Sequence, residues 1–334
     1  MLIKYSLILI YFVLNFLPIF AVFRYNVAMR IVTAGRLFLD IDAYACIYAY
    51  NELLNKINIQ SRAISRAPFN ISISKSVLEW QALIERRYVP ESTDIYSMVD
   101  VSDPETFEEF VNIEKVYEVI DHRPEFVAYW GKKLGQRAQI EEIGACATQI
   151  YRKWADFHLL SDMSQASAQL LATAILDNTL NFQAGVTENQ DRVACNDLVK
   201  IGKLSKEWPE TYFKECQQAS TKNFETAVIN DSKRLRINGY DVFIGQLVVW
   251  DASDLLLMQD QISEILGAKN NNIWFMNIVD IRLGHSIIVC QDSALQDQLS
   301  GLLGVVFRGN FATANRCWLR KEIVSLSRSM AVGC

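Results

Sequence analysis

Histidine is scarce in this chain, and its cysteines are never arranged to bind a metal. His122, His158 and His285 are the only three imidazoles in 334 residues. The seven cysteines, Cys46, Cys146, Cys195, Cys216, Cys290, Cys317 and Cys334, are scattered without a CxxC pair. That argues against a zinc ribbon or a dithiol redox motif and for a reducing compartment. A metal site built from such a sequence must lean on carboxylates, which suits Mg²⁺ or Mn²⁺ better than a His-rich zinc centre. An excess of positive charge is missing too. With 33 Lys and Arg against 38 Asp and Glu, the net charge is −5, so no nucleic-acid partner held by bulk electrostatics is expected. Repeats and disordered tracts are also absent. What remains is an ordinary globular composition, 51% hydrophobic and 21% charged, in a chain long enough for two domains.

One apolar run stands apart. Residues 2–23 carry only Lys4, Tyr5, Ser6, Tyr11 and Asn15 as polar interruptions, which is long enough to span a bilayer. No small-x-small cleavage site follows it, so a signal peptide fits poorly. The segment 1–28 reads either as a membrane anchor or as an over-called start, because MRIVTAG from Met29 makes a natural first strand. Arg24, Arg30 and Arg36 follow the run while only Lys4 precedes it, and the positive-inside rule then keeps the body cytoplasmic. Contact with a membrane is expected only through residues 2–23.

The stretch that organises the body is 31–55. Ile31-Val32-Thr33 is a β-branched run closed by Ala34-Gly35, and from Asp42 onward Ala43, Cys46, Ile47, Tyr50, Leu53 and Leu54 recur at helical spacing. Asp40 and Asp42 therefore sit in a crossover loop and at a helix start, where open α/β sheets bind ligands. Further strand-like runs over 94–100 and 115–120 also end on acids, Asp100 and Asp121. In a parallel sheet those ends lie side by side. Helical periodicity is expected over 76–87, 141–157, 165–182 and 188–204. Gly144 and Ala145 open the second of these, a start that allows an anion at the helix N-terminus. The third ends in the polar cluster Asp177-Asn178-Thr179.

Composition shifts around 205–209, an interdomain connection. A helix from about Glu210 leads to a hairpin whose turn is Asn238-Gly239. Strands over 242–249, 273–280 and 286–290 then alternate with helices over 252–267 and 293–302. Before an apolar strand-like residue near the end stands the basic pair Arg320-Lys321. This second region reads as a smaller α/β domain of about 120 residues.

In this order the motifs resemble the DHH phosphoesterase superfamily, above all the manganese-dependent (family II) inorganic pyrophosphatases. The first motif of that family, G-H-x-N-P-D-x-D-S, is matched by 35–43 with Asp40 and Asp42. An acid closing a strand falls on Asp100. The Asp-His-His signature appears as Asp121-His122-Arg123, and the small-residue helix start as Gly144-Ala145-Cys146-Ala147-Thr148. The S-D-T-L-x-F helix end is matched by 177–182. In the second half, D-A-K-x-F is matched by Asp231-Ser232-Lys233 and the S-R-K-K motif by Leu319-Arg320-Lys321-Glu322. The resemblance spans roughly residues 29–328. It implies two α/β domains, a parallel-sheet DHH domain over 29–205 and a mixed-sheet phosphate-binding domain over 210–328, with the active site between them. It further implies two divalent metals, Mn²⁺ or else Mg²⁺ or Co²⁺, that activate a water to attack pyrophosphate or a related phosphoanhydride. Asp40, Asp42, Asp100, His122, Asp177 and Asn178 would be the metal ligands, with Asp100 and His122 at the chemistry. Arg36, Arg123, Lys233, Arg320 and Lys321 would hold a small phosphorylated substrate.

Three departures from the pattern matter. Arg36 stands where the family has a histidine ligand, and a guanidinium cannot ligate a metal. Arg123 replaces the second His of the signature, keeping a phosphate donor but losing a titratable one. Asn178 aligns with the last metal carboxylate and is an uncharged oxygen ligand, with Asp177 next door. One metal position is therefore expected to be weakened, or its charge supplied by Arg36. Two other functions compete. A DHH phosphodiesterase acting on nucleotides would carry a GGGH-type motif, for which only Leu283-Gly284-His285-Ser286 offers a likeness. A non-catalytic descendant would bind a phosphorylated ligand. No apolar stripe in the body marks a dimer surface, so the sequence sets no oligomeric state.

Overall fold

The structure is a computed structural model that describes residues 28–237, 240–268 and 273–332, with side chains as far as 329. The apolar run 2–23, the turn Asn238-Gly239 and Cys334 lie outside the described residues. Among the described residues no helix is long and apolar enough to cross a membrane.

The first half alternates strand and helix: β1 (Arg30–Thr33), α1 (Ile41–Lys56), β2 (Ser61–Ala63), α2 (Lys75–Glu79), β3 (Ile95–Val99), β4 (Val116–Asp121), α3 (Val127–Leu134) and β5 (Ala138–Ile140). The strands form one sheet in the order β2-β1-β3-β4-β5, parallel at every junction. All four residues of β1 and the last four of β3 are buried, as expected of strands covered on both faces. Three helices follow, α4 (Cys146–Asp156), α5 (Gln165–Asn178) and α6 (Asn189–Gly202). Helix α5 lies between α1 and α6. Its Leu170, Leu171, Ala172, Ala174 and Ile175 are all fully buried, so a helix apolar on every side is enclosed by its neighbours.

The second half begins with α7 (Trp208–Lys222), whose Trp208, Tyr212, Phe213 and Cys216 join the core of the first sheet. Then come α8 (Phe224–Asn230), β6 (Ser232–Ile237), β7 (Tyr240–Val249), α9 (Ser253–Leu256), α10 (Gln259–Gly267), β8 (Trp274–Asp280), β9 (His285–Cys290), α11 (Ser293–Leu303), β10 (Phe311–Thr313) and α12 (Arg320–Val332). The second sheet has the order β10-β9-β8-β7-β6 and is mixed: β7 and β8 run parallel, the other pairs antiparallel. Side chains alternate across it with the period of two that a pleated strand imposes. Trp274, Met276 and Ile278 pack with Ile262 and Leu266 on one face, while Phe275 meets Leu295, Leu299 and Ile323 on the other.

Local periodicity misleads in four places. The helix expected over 76–87 stops at Glu79. Trp80 packs against Trp208 with ring centroids 5.0 Å apart, Gln81 takes a left-handed φ of 54°, and the chain then runs extended to pair Glu85 with Ile64. The helix over 165–182 ends at Asn178 and is followed by three left-handed residues, Leu180, Asn181 and Phe182. The helix over 252–267 divides into α9 and α10. The pair Arg320-Lys321 opens a helix and does not precede a strand. Glu322 accepts the Leu319 N–H at 2.8 Å and so satisfies one of the donors at that helix start.

Candidate active site

Strands β1, β3 and β4 are neighbours in the first sheet, so the segments leaving their carboxyl ends converge. Asp40 caps α1, its Oδ1 accepting the Ala43 N–H at 2.9 Å. Asp42 lies just inside the helix and is buried. Its Oδ1 accepts from the Ala147 N–H and its Oδ2 from the Cys146 N–H, both at 2.9 Å. Ala145 has no side chain with which to cap α4. The anion expected at that helix N-terminus is therefore supplied by the chain itself, as Asp42. Burial, and next to it the charge of Asp40, raises the Asp42 carboxyl to about 7.

Asp100 leaves β3 with a φ of 52°, a left-handed conformation that costs a non-glycine residue energy and is found where surroundings enforce it. Its carboxylate is buried, and that burial drives its pKa well up against the opposing pull of Arg123. Arg123 donates from Nη2 to Asp100 Oδ1 at 2.7 Å and to the Asp100 carbonyl, and from Nε to Asp121 Oδ1 at 3.0 Å. His122 Nε2 stands 3.5 Å from Asp100 Oδ1, while its Nδ1 is 3.2 Å from the Ile143 carbonyl. A carbonyl only accepts, so Nδ1 carries the proton and Nε2 presents a lone pair. Burial, with Lys321 and Arg123 nearby, pushes the His122 pKa well down and keeps the ring neutral.

A lone pair and a carboxylate oxygen facing each other in a buried site repel unless a proton or a metal cation lies between them. Asp42, Asp100 and His122 bring one donor atom each within 4.8 Å of the others, and among the described residues they alone form such a trio. Two hard oxygens and one imidazole, the latter oriented through Nδ1 by a backbone carbonyl, fit Mn²⁺ or a similar ion.

The second lobe faces this trio with cations. Lys321 interacts electrostatically with Asp42, Asp100 and His122, and Lys233 with Asp40 and Arg123. Both ammonium groups have lowered pKa values, first from lost hydration in the cleft and then from neighbouring guanidinium groups. Arg320 is held by Asp231, with Nη2 at 2.7 Å from Oδ1, while its backbone N–H donates to Gln246 Oε1 at 2.6 Å. The lobes are latched at this point. Glu322 Oε1 accepts from the Gly185 N–H at 3.1 Å and from Arg316 at 2.9 Å, and Gln183 donates to the Ile281 carbonyl at 2.8 Å. A Cβ on Gly185 would stand 2.4 Å from Glu322 Oε1, so only glycine permits that contact.

The remaining expected site residues sit apart from the trio. Asp177 accepts the Tyr212 hydroxyl at 2.9 Å, and burial lifts its carboxyl to about 7. Asn178 turns its amide back onto α5, donating to the Ala174 carbonyl at 3.3 Å. Arg36 is exposed and forms no ion pair among the described residues, so the cation lying on the acids is Arg123 and not Arg36. Sequence reasoning missed two supporting acids. Asp121 orients both His122 and Arg123, and its place in the Asp-His-Arg triplet was a usable signal. Asp191 is fully buried and accepts from the Gly144 N–H, the Thr148 hydroxyl and the Glu188 N–H, fixing the turn that delivers α4 to Asp42. Its local signature is only the capping box it forms with Glu188, which says nothing of Gly144 and Thr148, 47 and 43 residues away. Gly284, part of the weak GGGH likeness, takes a φ of 70° in the turn between β8 and β9.

Compared with solved structures, the chain aligns with a Methanococcus jannaschii protein named "putative family II inorganic pyrophosphatase". The TM-score is 0.67 at 21% identity, over 90% of this chain and 99% of that one. The fold is that of a family II inorganic pyrophosphatase. Curated relatives agree at a distance. A protein of Streptococcus thermophilus named "Probable manganese-dependent inorganic pyrophosphatase" is 23% identical over 294 residues, 85% of this chain and 93% of its own length. A Bacillus pumilus protein of the same name is 24% identical over 253 residues, 72% of this chain and 80% of its own length. No family model matches the chain. The resemblance to manganese-dependent pyrophosphatases seen in the ordered motifs thus holds in both sequence and fold, with Asp42, Asp100 and His122 as a candidate metal trio.

Proposed function

We propose that this chain is a metal-dependent phosphohydrolase of the pyrophosphatase type, acting on pyrophosphate or a related phosphoanhydride. The observation that carries the reading is the apposition of Asp42, Asp100 and His122 to Lys321 of the other lobe, with Lys233 beside Asp40 and Arg123 and Arg320 beside Lys233. Asp42, Asp100 and His122 would hold a divalent ion, and the chemistry it would supply there is a lowered water pKa and polarisation of a phosphoryl oxygen. The chain's own residues do the rest. Lys321 and Lys233 neutralise phosphoryl oxygens from the second lobe, and Arg320, braced by Asp231, offers a fixed guanidinium beside them. Neutral His122 holds its Nε2 lone pair inward because its Nδ1 proton is engaged by Ile143. The division into a catalytic region over 29–205 and a phosphate-binding region over 210–328 belongs to the same proposal, as does a cytoplasmic body.

The test is phosphate release from pyrophosphate with Mn²⁺, beside Asp100→Asn. Activity that falls at least about a hundredfold in the variant supports the reading. Silence of the unaltered protein on pyrophosphate, short polyphosphates and nucleotides with Mn²⁺, Mg²⁺ and Co²⁺ sinks it. A second reading, a non-catalytic binder of a phosphorylated ligand, is favoured by the guanidinium already seated on Asp100. Calorimetry separates the two: ligand binding without turnover or metal requirement is the signature of the binder.

A further inference from the structure

We infer that the centre holds a single divalent cation, with the Arg123 guanidinium as a built-in positive charge on the side of Asp100 where a second ion would bind. The inference rests on the metal-dependent reading above and departs from the two ions that the resemblance implies.

Three observations carry it. First, Arg123 is committed to the acids and not held in reserve for a ligand. It makes two contacts to Asp100, one to the carboxylate at 2.7 Å and one to the carbonyl, and a third to Asp121 at 3.0 Å. A guanidinium is charged at every accessible pH, so a second dication sharing Asp100 would have to bind against a fixed neighbouring cation. Second, the remaining donors are not gathered with the trio, or are uncharged or cationic. Asp40 uses one oxygen to cap α1, Asp177 is tied to Tyr212, Asn178 is neutral and hydrogen-bonded to its own helix, and Arg36 is an exposed cation. Among the described residues only the Asp42, Asp100 and His122 trio is assembled. Third, the charge balance favours one ion. Asp40, Asp100 and Asp121 act on Arg123 and Asp42 acts on Asp100; with all four ionised, as a bound metal would make its ligands, one dication and the guanidinium leave a single negative charge for Lys321 to meet. A second dication would leave the centre positive before Lys321 is counted.

The experiment counts manganese on the full chain, stripped with EDTA, reloaded with Mn²⁺ and desalted, by elemental analysis together with electron paramagnetic resonance. The unaltered protein is expected to hold one ion per chain with the six-line spectrum of an isolated Mn²⁺. Arg123→Ala is expected to keep one ion and bind it about tenfold more tightly, since a repelling charge is gone. Arg123→His combined with Asn178→Asp restores donors and removes the guanidinium, and it is expected to take up a second ion with an exchange-coupled spectrum. Two ions on the unaltered chain overturn the inference and leave the hydrolase reading standing. So does weaker or unchanged binding in Arg123→Ala, because Arg123 would then be no competing cation. One ion without turnover of any phosphoanhydride does the reverse, and no ion at all overturns both. If the variants fail to fold, the count on the unaltered protein still decides.

Discussion

In the first lobe the acids at the centre are tied down, whereas most cations of the second lobe stand open to the cleft. Asp42 is gripped by two backbone amides of α4, Asp121 by the His122 amide and Arg123, and Asp100 by Arg123 on a strained turn. Among the described residues Lys233 and Lys321 form no ion pair, and of the three cations only Arg320 is braced, by Asp231. The parallel sheet explains the contrast. Its strand ends are buried side by side, so side chains there must have partners or neutralise. The mixed sheet presents an edge strand, β6, and a helix start, α12, to solvent. Under the proposed function, one lobe is thus preorganised for an ion, and the other adapts to the anion that enters between them.

That contrast can be broken first at the open side. Lys321→Met should lower kcat/KM for phosphate release by about ten- to a hundredfold through loss of transition-state charge stabilisation. Mn²⁺ affinity should hold or rise slightly, because a positive neighbour of Asp42 and Asp100 is removed. A large loss of metal affinity in this variant would mean that the two lobes do not divide the work as described.

The preorganised side is probed through Asp191, which touches neither ion nor substrate. Asp191→Ala strands the Gly144 and Glu188 amides and the Thr148 hydroxyl, and should cost about 2–4 kcal/mol of stability. Because those groups set the start of α4, Mn²⁺ should also bind more weakly than to the parent at a temperature where both are folded. Unchanged metal affinity would reduce Asp191 to a purely structural role.

Between the lobes, Gly185→Ala sharpens the comparison with a smaller effect. The added Cβ falls on Glu322 Oε1, so the latch must open by the width of a methyl group. We expect a few-fold rise in KM, a loss of about 1 kcal/mol in stability and faster hydrogen exchange at α12. Wild-type exchange in that helix would show that the latch does not hold the cations over the acids.

How much of this was legible in the sequence divides along the same line. The parallel sheet and the gathering of acids at its strand ends followed from strand-like runs that close on Asp100 and Asp121, because period and strand-end chemistry are local signals. His122 as a ligand and the mixed second sheet came from the resemblance, while alternation alone implied a second α/β region. What the sequence hid is long-range. Nothing near Asp191 announces that it braces a turn 47 residues earlier. Nothing in 76–87 says that Trp80 will leave its helix to pack against Trp208. Arg36 and Arg123 were both plausible cations for the centre by spacing, and only the packing of β3 against β4 seats Arg123 on Asp100 while leaving Arg36 exposed.

The subtlest test concerns Asp177, which is half-buried where Asp42, Asp100 and His122 are buried, and is joined to α7 through Tyr212. Its carboxyl stands near 7 in the folded chain against an ordinary 3.8, raised by burial and only partly relieved by the tyrosine hydroxyl. The folded state therefore retains a proton that the unfolded chain releases, so this group stabilises fully below about pH 4 and loses its contribution as pH climbs through about 7. Asp177→Asn keeps the shape and an oxygen for Tyr212 but cannot ionise. Measured in EDTA, the thermal midpoint of the variant should gain on that of the parent between pH 4 and 8, other acids being common to both. Parallel curves would mean that Asp177 is ionised throughout this range, with water or a neighbouring cation bearing its charge.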